Sequence, residues 1–157
     1  TLTEYNLWAN ARISQLILNA GDAAADLEQR SSFPTVRKTM FHIWDAENIW
    51  LNRLNGASPS SWPSKDFSGT LAEAVNQWHE VSLGFITYLD QVNAELLLDK
   101  TIEYKNLKGE VFSSKVWEII SHCMNHSTFH RGQLITMLRG AGAEGLESTD
   151  MITFYRE

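Results

Sequence analysis

Apolar residues recur every three or four positions in four long blocks of the chain, which is the pattern of amphipathic helices. The first block covers residues 2–20, with Thr3 as the expected N-cap and Gly21 as the expected end. The second opens near Pro34 and closes at Gly56. Four such helices have to bury their apolar faces against one another, so the pattern predicts an all-α four-helix bundle.

The third block begins with a helix-start signal. Thr70 and Glu73 form a T-x-x-E capping box, and the apolar period then continues to Leu89. Over residues 101–113 the helical period breaks, and β-forming residues flank a central turn. This segment predicts a short β-hairpin before the last long helix.

The last long helix is expected to start near Ser114 and to stop at Gly140. A glycine-rich stretch follows it, and then a capping pattern at Ser148 and Thr149 ahead of Met151. We therefore expect a short closing helix at the end of the chain.

Composition narrows the class of protein. The chain has 157 residues, 43% hydrophobic and 11% aromatic, enough for one domain over residues 1–157 with a single core. The formal charge of −6 and the lack of a basic run speak against nucleic acid and anionic membranes as partners. No apolar run approaches the roughly 18–20 residues that span a bilayer, and no signal-peptide pattern opens the chain. We expect a cytoplasmic protein, and the single cysteine fits a reducing compartment.

The motif HCMNHSTFHRGQ carries candidate chemistry, because it places His122, His126 and His130 four residues apart on the expected last helix. Side chains at that spacing follow one stripe, and two imidazoles at i and i+4 can converge on one ion. The outer members of the stripe lie two turns apart, so a third ligand should come from another helix. His42, inside the apolar register of the second helix, is the natural candidate, and His79 is a weaker one.

Histidine spacing alone leaves two interpretations open. A single H-x-x-x-H pair is common on surface helices, and the glutamate of the H-E-x-x-H zinc signature is absent. A polar surface stripe is therefore one interpretation. The other is a three-histidine site with open coordination positions, which is typical of a catalytic zinc, nickel or other divalent ion.

Residues beside the histidines have two interpretations each. Asp45 follows the second-helix histidine by three positions and could orient a ligand or act as a base, or it could be a solvated helix residue. Glu47 is expected in a surface ion pair with Arg53 or another cation. Cys123 could be a thiolate ligand, although a small buried apolar role is favoured.

Three further positions bear on a pocket. Gln133 could face the site, because it lies about 20° from the first histidine of the stripe. Arg131 and Gly132 are interpreted as structural residues. Trp62, in a proline-rich loop, could cover a pocket.

Four segments together resemble a known family. YNLWANARI, HIWDAENIWLNRL, HCMNHSTFHRGQL and TDMITFYRE occur in this order, and with them the chain resembles the DinB/YfiT-like metalloenzymes over essentially its whole length. The resemblance implies an up-down-down-up bundle, often a homodimer. It further implies a divalent metal bound by His42, His126 and His130, with His122 a nearby non-ligand.

The resemblance also implies a function. Relatives look like transferases or isomerases that use low-molecular-weight thiols such as bacillithiol, mycothiol or glutathione. We therefore expect a thiol transferase acting on a small electrophile, with zinc or nickel as the metal and manganese or iron as further candidates. The alternatives are a metal-dependent hydrolase with Asp45 as base, and a non-catalytic metal-binding or dimerising stress-response protein.

Overall fold

In the part of the chain that the structure describes, four long helices form the fold, and a hairpin and two short turns of helix connect or follow them. The computed structural model describes residues 1–92, 98–145 and 147–157. The long helices are α1 (Leu2–Ala25), α2 (Val36–Leu54), α3 (Leu71–Gln91) and α4 (Val116–Gly140). The other elements are a 3₁₀ turn at Pro63–Asp66, strands β1 (Thr101–Lys105) and β2 (Val111–Lys115), and the short helix α5 (Met151–Phe154). The predicted helical bundle, hairpin and closing helix are confirmed.

Helices α1 and α2 lie at diagonally opposite corners of the bundle, and α3 and α4 each pack against both of them. Helices α2 and α3 run parallel, since Glu47 bonds to Ser82 and, further along both helices, Leu51 lies against Gly84. The connection between these two helices is consequently a long crossover that contains the 3₁₀ turn.

Helix α4 runs parallel to α1. Asn6 in α1 contacts Arg131 in α4, and Gln29, just beyond α1, donates to the carbonyl of Met137 near the end of α4. Helix α4 is antiparallel to α2, as the histidine pairs described below show. The four helices therefore have the expected up-down-down-up order.

The ends of α1 differ from the prediction. Thr1, not Thr3, is the N-cap, and it forms a reciprocal capping box with Glu4. The Thr3 side chain is buried inside the first turn. Gly21 does not end the helix but kinks it, with φ of 76° and ψ of 177°, a left-handed conformation that favours glycine.

The other helix ends largely follow the sequence signals. The capping box of Thr70 and Glu73 forms as predicted. Helix α4 begins two residues later than expected, because Ser114 is still paired in β2. The cap before α5 is Asp150, whose N–H donates to the Ser148 hydroxyl in the preceding turn.

Glu47 is the clearest departure from the expected surface. Its carboxylate is fully buried in the middle of the bundle, and four side chains from α1, α3 and α4 donate to it. The donors are Asn6 Nδ2 at 2.8 Å, Asn10 Nδ2 at 3.0 Å, Ser127 Oγ at 2.7 Å and Ser82 Oγ at 2.6 Å. The predicted surface ion pair of Glu47, with Arg53 or another cation, is therefore wrong, because polar side chains of the other helices bind this carboxylate inside the core.

Arg131 supplies the positive charge of the same network and is 1% exposed. Its guanidinium donates to the Oδ1 atoms of Asn6 and Asn10, at 2.7 Å for Asn10, and to Thr128 Oγ1 at 2.7 Å. The two asparagines thus accept from Arg131 and donate to Glu47. This bridge joins all four long helices and fits the structural interpretation of Arg131.

Apolar side chains fill the rest of the interior in two clusters, one on each side of this polar layer. Trp44 and Trp78 are among the largest fully buried side chains of the first cluster, and Phe85 of the second. Among the described residues, no helix has the length and apolar character needed to cross a membrane.

Candidate metal centre

Three histidines converge on the seam between α2 and α4. His42 comes from α2, and His126 and His130 come from successive turns of α4. Trp50, further along α2, lies beside His122, earlier in α4, so the two helices are antiparallel here. The expected cross-helix arrangement places one histidine of α2 opposite the i, i+4 pair of α4.

The three imidazole rings are close to one another. Their centroids lie 4.8 Å apart for His42 and His126, 4.6 Å for His42 and His130, and 4.5 Å for His126 and His130. One ring nitrogen from each histidine can be chosen so that all three lie within 4.8 Å of one another. The sequence-predicted ligand set is thus brought together in one cluster.

The donor set fits a divalent ion. The Nε2 atoms of His42 and His126 are 2.9 Å apart. Two nitrogens bound at about 2.1 Å to a common ion would be separated by roughly 3.0–3.4 Å, close to this value. Imidazole nitrogens suit zinc, nickel, copper and iron. The three-histidine group could therefore hold a metal ion.

Burial keeps two of these imidazoles neutral. Burial, and then the neighbouring His130, lowers the pKa of His42 to about 4. The pKa of His126 is also lowered to about 4, first by burial and then by the charges of His130, His42 and His122. Neutral rings at pH 7 keep a nitrogen lone pair available for an ion.

Gln133 fixes the orientation of the third ring. Its Oε1 accepts a hydrogen bond of 2.8 Å from Nδ1 of His130, and its Nε2 donates to the Ser32 hydroxyl at 3.0 Å. Because the proton of His130 is then on Nδ1, its Nε2 is the nitrogen left for a metal. The sequence placed Gln133 near the site, but gave no signal for Ser32, which lies in the loop between α1 and α2.

Phenylalanine rings cover one end of the cluster. Phe33, in the same loop as Ser32, stacks on His42 with centroids 4.3 Å apart and meets the edge of His130 at 5.8 Å. Phe129 packs edge-on against His130 at 5.0 Å and is 63% exposed. Phe33 belongs to no periodic element, so periodicity could not have indicated its role.

His122 stands at the other end of the cluster and outside it. Its ring is exposed, 6.1 Å from that of His126, and packs edge-on against Trp50 at 5.3 Å. Its position agrees with the implied role as a nearby non-ligand. His79 lies exposed on α3 and takes no part in the cluster.

Asp45 is bound to the loop that follows α2. Its two carboxylate oxygens accept from the backbone N–H and the hydroxyl of Ser64, at 2.9 and 2.6 Å. Burial raises its pKa, while the bonds from Ser64 act in the opposite direction. These contacts give Asp45 a role in holding the 3₁₀ turn against α2, and its action as a base stays a prediction. Trp62 begins this turn and is 41% exposed.

Cys123 is fully buried in the second apolar cluster. Burial raises the pKa of its thiol well above the usual value, and the charge of Glu47 acts in the same direction. A protonated thiol inside the core is a poor ligand and a poor nucleophile. The favoured interpretation of Cys123 as a small buried apolar residue agrees with this environment.

The fold and the cluster together define an up-down-down-up helical protein with a candidate three-histidine metal centre between α2 and α4. The sequence matches the DinB family over residues 1–154. The chain therefore belongs to the DinB family.

Individual relatives agree with this assignment. The chain is 26% identical over 148 residues to Protein DinB of Bacillus subtilis (strain 168), covering 90% of this chain and 84% of the relative. A crystal structure of a DinB-like protein from Bacillus cereus ATCC 10987 is similar with a TM-score of 0.71 and 15% identity, covering 92% and 91% of the two chains. The DinB-like protein YjoA from Bacillus subtilis is similar with a TM-score of 0.73 and 15% identity, covering 95% and 97%. At this identity the two structures show a common fold.

Proposed function

We propose that His42, His126 and His130 bind one divalent ion, and that the protein is a metal-dependent enzyme that activates a low-molecular-weight thiol for attack on a small electrophile. The observation that carries the proposal is the convergence of three imidazoles, with two Nε2 atoms 2.9 Å apart. Zinc and nickel are the favoured metals, because imidazole nitrogens suit both ions. Manganese and iron are further candidates.

Each residue of the centre has a defined part in this proposal. A divalent ion with three protein ligands supplies an open position and lowers the pKa of a thiol or water that binds there. Gln133 holds His130 in the tautomer with a free Nε2. Phe33 covers one face of His42 and keeps water from that side.

Thiol transfer can be tested directly. The protein is stripped with a chelator, reloaded with one equivalent of zinc or nickel, and incubated with glutathione and 1-chloro-2,4-dinitrobenzene. Formation of the thioether is followed by absorbance. We expect product formation that needs both metal and thiol, that is lost in His126→Ala and that is retained in His122→Ala.

Other results would favour the alternatives. Metal-dependent hydrolysis of an activated ester without any thiol would favour the hydrolase, and loss of that activity in Asp45→Asn would support its base role. Stoichiometric metal binding without either reaction would favour a non-catalytic metal-binding protein.

A further inference from the structure

Arg53 is a buried cation that has no counter-ion among the residues that the structure describes. It lies near the end of α2 and is 7% exposed. Its Nε is enclosed without a hydrogen-bond partner, and the guanidinium forms no ion pair with any residue in the described ranges. Glu47, the partner expected from the sequence, is occupied in the core network. Burying a charge without compensation is costly, so an unpaired guanidinium indicates a place for an anion.

Two aromatic rings hold this guanidinium. Its central carbon lies 4.4 Å from the ring centre of Trp50 and 4.7 Å from that of Tyr104, and the two rings meet edge to face at 5.2 Å. Burial lowers the pKa of Arg53, an effect that the nearby Tyr104 partly offsets. The two ring faces hold the guanidinium by cation–π contact, which takes up none of its N–H donors.

Arg53 faces the same seam as the metal centre. It follows His42 by eleven residues, which is about three helical turns and about 20° around the axis. Its guanidinium packs on Trp50, eight residues after His42, so the gap to the centre along the helix is about 12 Å. The distance is close to the length of a small extended peptide, about 10 Å for three residues.

Rings line this interval without a break. His122 lies 6.1 Å from His126 and 5.3 Å from Trp50, and Phe112 stacks on Tyr104 at 6.1 Å. His122 is exposed and Phe112 is 46% exposed, so part of this aromatic surface is open to a ligand. The seam thus connects a metal-binding end to a cationic end through a row of aromatic rings.

We propose that Arg53 binds a carboxylate of the thiol cosubstrate while the sulfur of the same molecule lies at the three-histidine centre. The inference rests on the proposed function and deepens it, because it assigns the thiol to a chemical class: a peptide-sized molecule with a carboxylate at the end remote from the sulfur. The planar fork of arginine matches a carboxylate with two parallel hydrogen bonds.

The test compares the binding of two forms of one thiol to the zinc-loaded chain of 157 residues. Glutathione carries two carboxylates, and its diethyl ester keeps the thiol but lacks both charges. Their dissociation constants are measured by calorimetry in 150 mM salt, which screens distant charges. The variants are Arg53→Met, which keeps a straight apolar stem, and Lys108→Met, which removes an exposed cation from the hairpin turn.

The wild type and Lys108→Met should bind glutathione more tightly than the diester, with a ratio of dissociation constants of about ten or larger, as expected for a charge-assisted hydrogen bond in a partly buried site. In Arg53→Met the two affinities should become similar. A ratio unchanged by Arg53→Met, or a wild type that does not distinguish acid from ester, would overturn the inference. If Arg53→Met does not fold by circular dichroism, Arg53→Gln replaces it under the same criteria.

A third ligand separates failure of this inference from failure of the proposed function. S-methylglutathione keeps both carboxylates and has no free thiol, so its binding to metal-free protein reports on Arg53 alone. If glutathione leaves the absorption of cobalt-loaded protein unchanged while S-methylglutathione binding still depends on Arg53, thiol activation is wrong and the anion site stands. If neither glutathione nor S-methylglutathione binds, the anion site is wrong.

Discussion

Replacing Glu47 by alanine should destabilise the protein strongly. The substitution leaves four buried donors without their acceptor and removes the negative charge that balances Arg131 through Asn6 and Asn10. Leaving one partner of a buried charge pair uncompensated costs about 3–5 kcal/mol. The unsatisfied donors act on the same site, so their cost is not simply added.

We expect a loss of about 4–5 kcal/mol, a large part of the roughly 5–15 kcal/mol that stabilises a typical domain. For a chain of this size such a loss corresponds to a fall in Tm of about 8–20 °C. Glu47→Gln keeps a carbonyl oxygen that can accept from three of the donors and should lose about half as much free energy, since it removes the charge and only one of the two acceptor atoms.

The assay is urea unfolding of metal-free protein, followed by circular dichroism and tryptophan fluorescence. The midpoint should fall while the dependence of the unfolding free energy on urea concentration stays the same. Glu80→Ala, an exposed glutamate on α3, is the control and should change stability by less than about 0.5 kcal/mol. If Glu47→Ala is as stable as Glu80→Ala, the reasoning about the buried network is refuted.

Further predictions concern the metal centre and assembly. Gln133→Ala should weaken zinc affinity about 10-fold to 100-fold in a competition with a chelator, because His130 loses its orienting bond; unchanged affinity would exclude that role. Metal-free protein should lose stability as the pH falls from about 6.5 to 4. In the native state the pKa values of His42 and His126 are lowered to about 4. Over this interval the unfolded chain therefore takes up protons at these histidines before the native state does, which favours unfolding. The assignment would be contradicted if the urea midpoint did not change with pH over that interval. It would also be contradicted if the midpoint changed equally with pH in a His42→Gln, His126→Gln double variant. The homodimer expected from the family resemblance should give a light-scattering mass about twice 17.8 kDa, and a mass near 17.8 kDa would exclude it under those conditions.

Patterns that repeat along the chain predicted the bundle and the ligand cluster well. The apolar period located the four helices, because local periodicity is carried explicitly by a single sequence. The four-residue spacing left two histidine pairs open, His122 with His126 and His126 with His130, and indicated His42 as the third ligand. The family resemblance selected the second pair, which is the pair that lies beside His42 in the structure.

Features that depend on which helices meet were not predictable in the same way. Glu47 has the spacing of a surface residue, and only the meeting of Asn6, Asn10 and Ser82 from two other helices makes its burial favourable. Phe33 reaches the histidines from an irregular loop, where no period applies. Arg53 has no ion pair within the described ranges, and the carboxylate of Glu47, a partner expected from the sequence, lies in the core network instead.

The central claim is that one divalent ion binds between α2 and α4. It is tested most directly by inductively coupled plasma mass spectrometry of protein reloaded with zinc or nickel and freed of excess metal. We expect about one ion per chain in the wild type and in His122→Ala, and loss of that ion in His42→Ala, His126→Ala and His130→Ala. Full occupancy in any of the last three variants, or no metal in the wild type after exposure to zinc, nickel, manganese and iron, would contradict the claim.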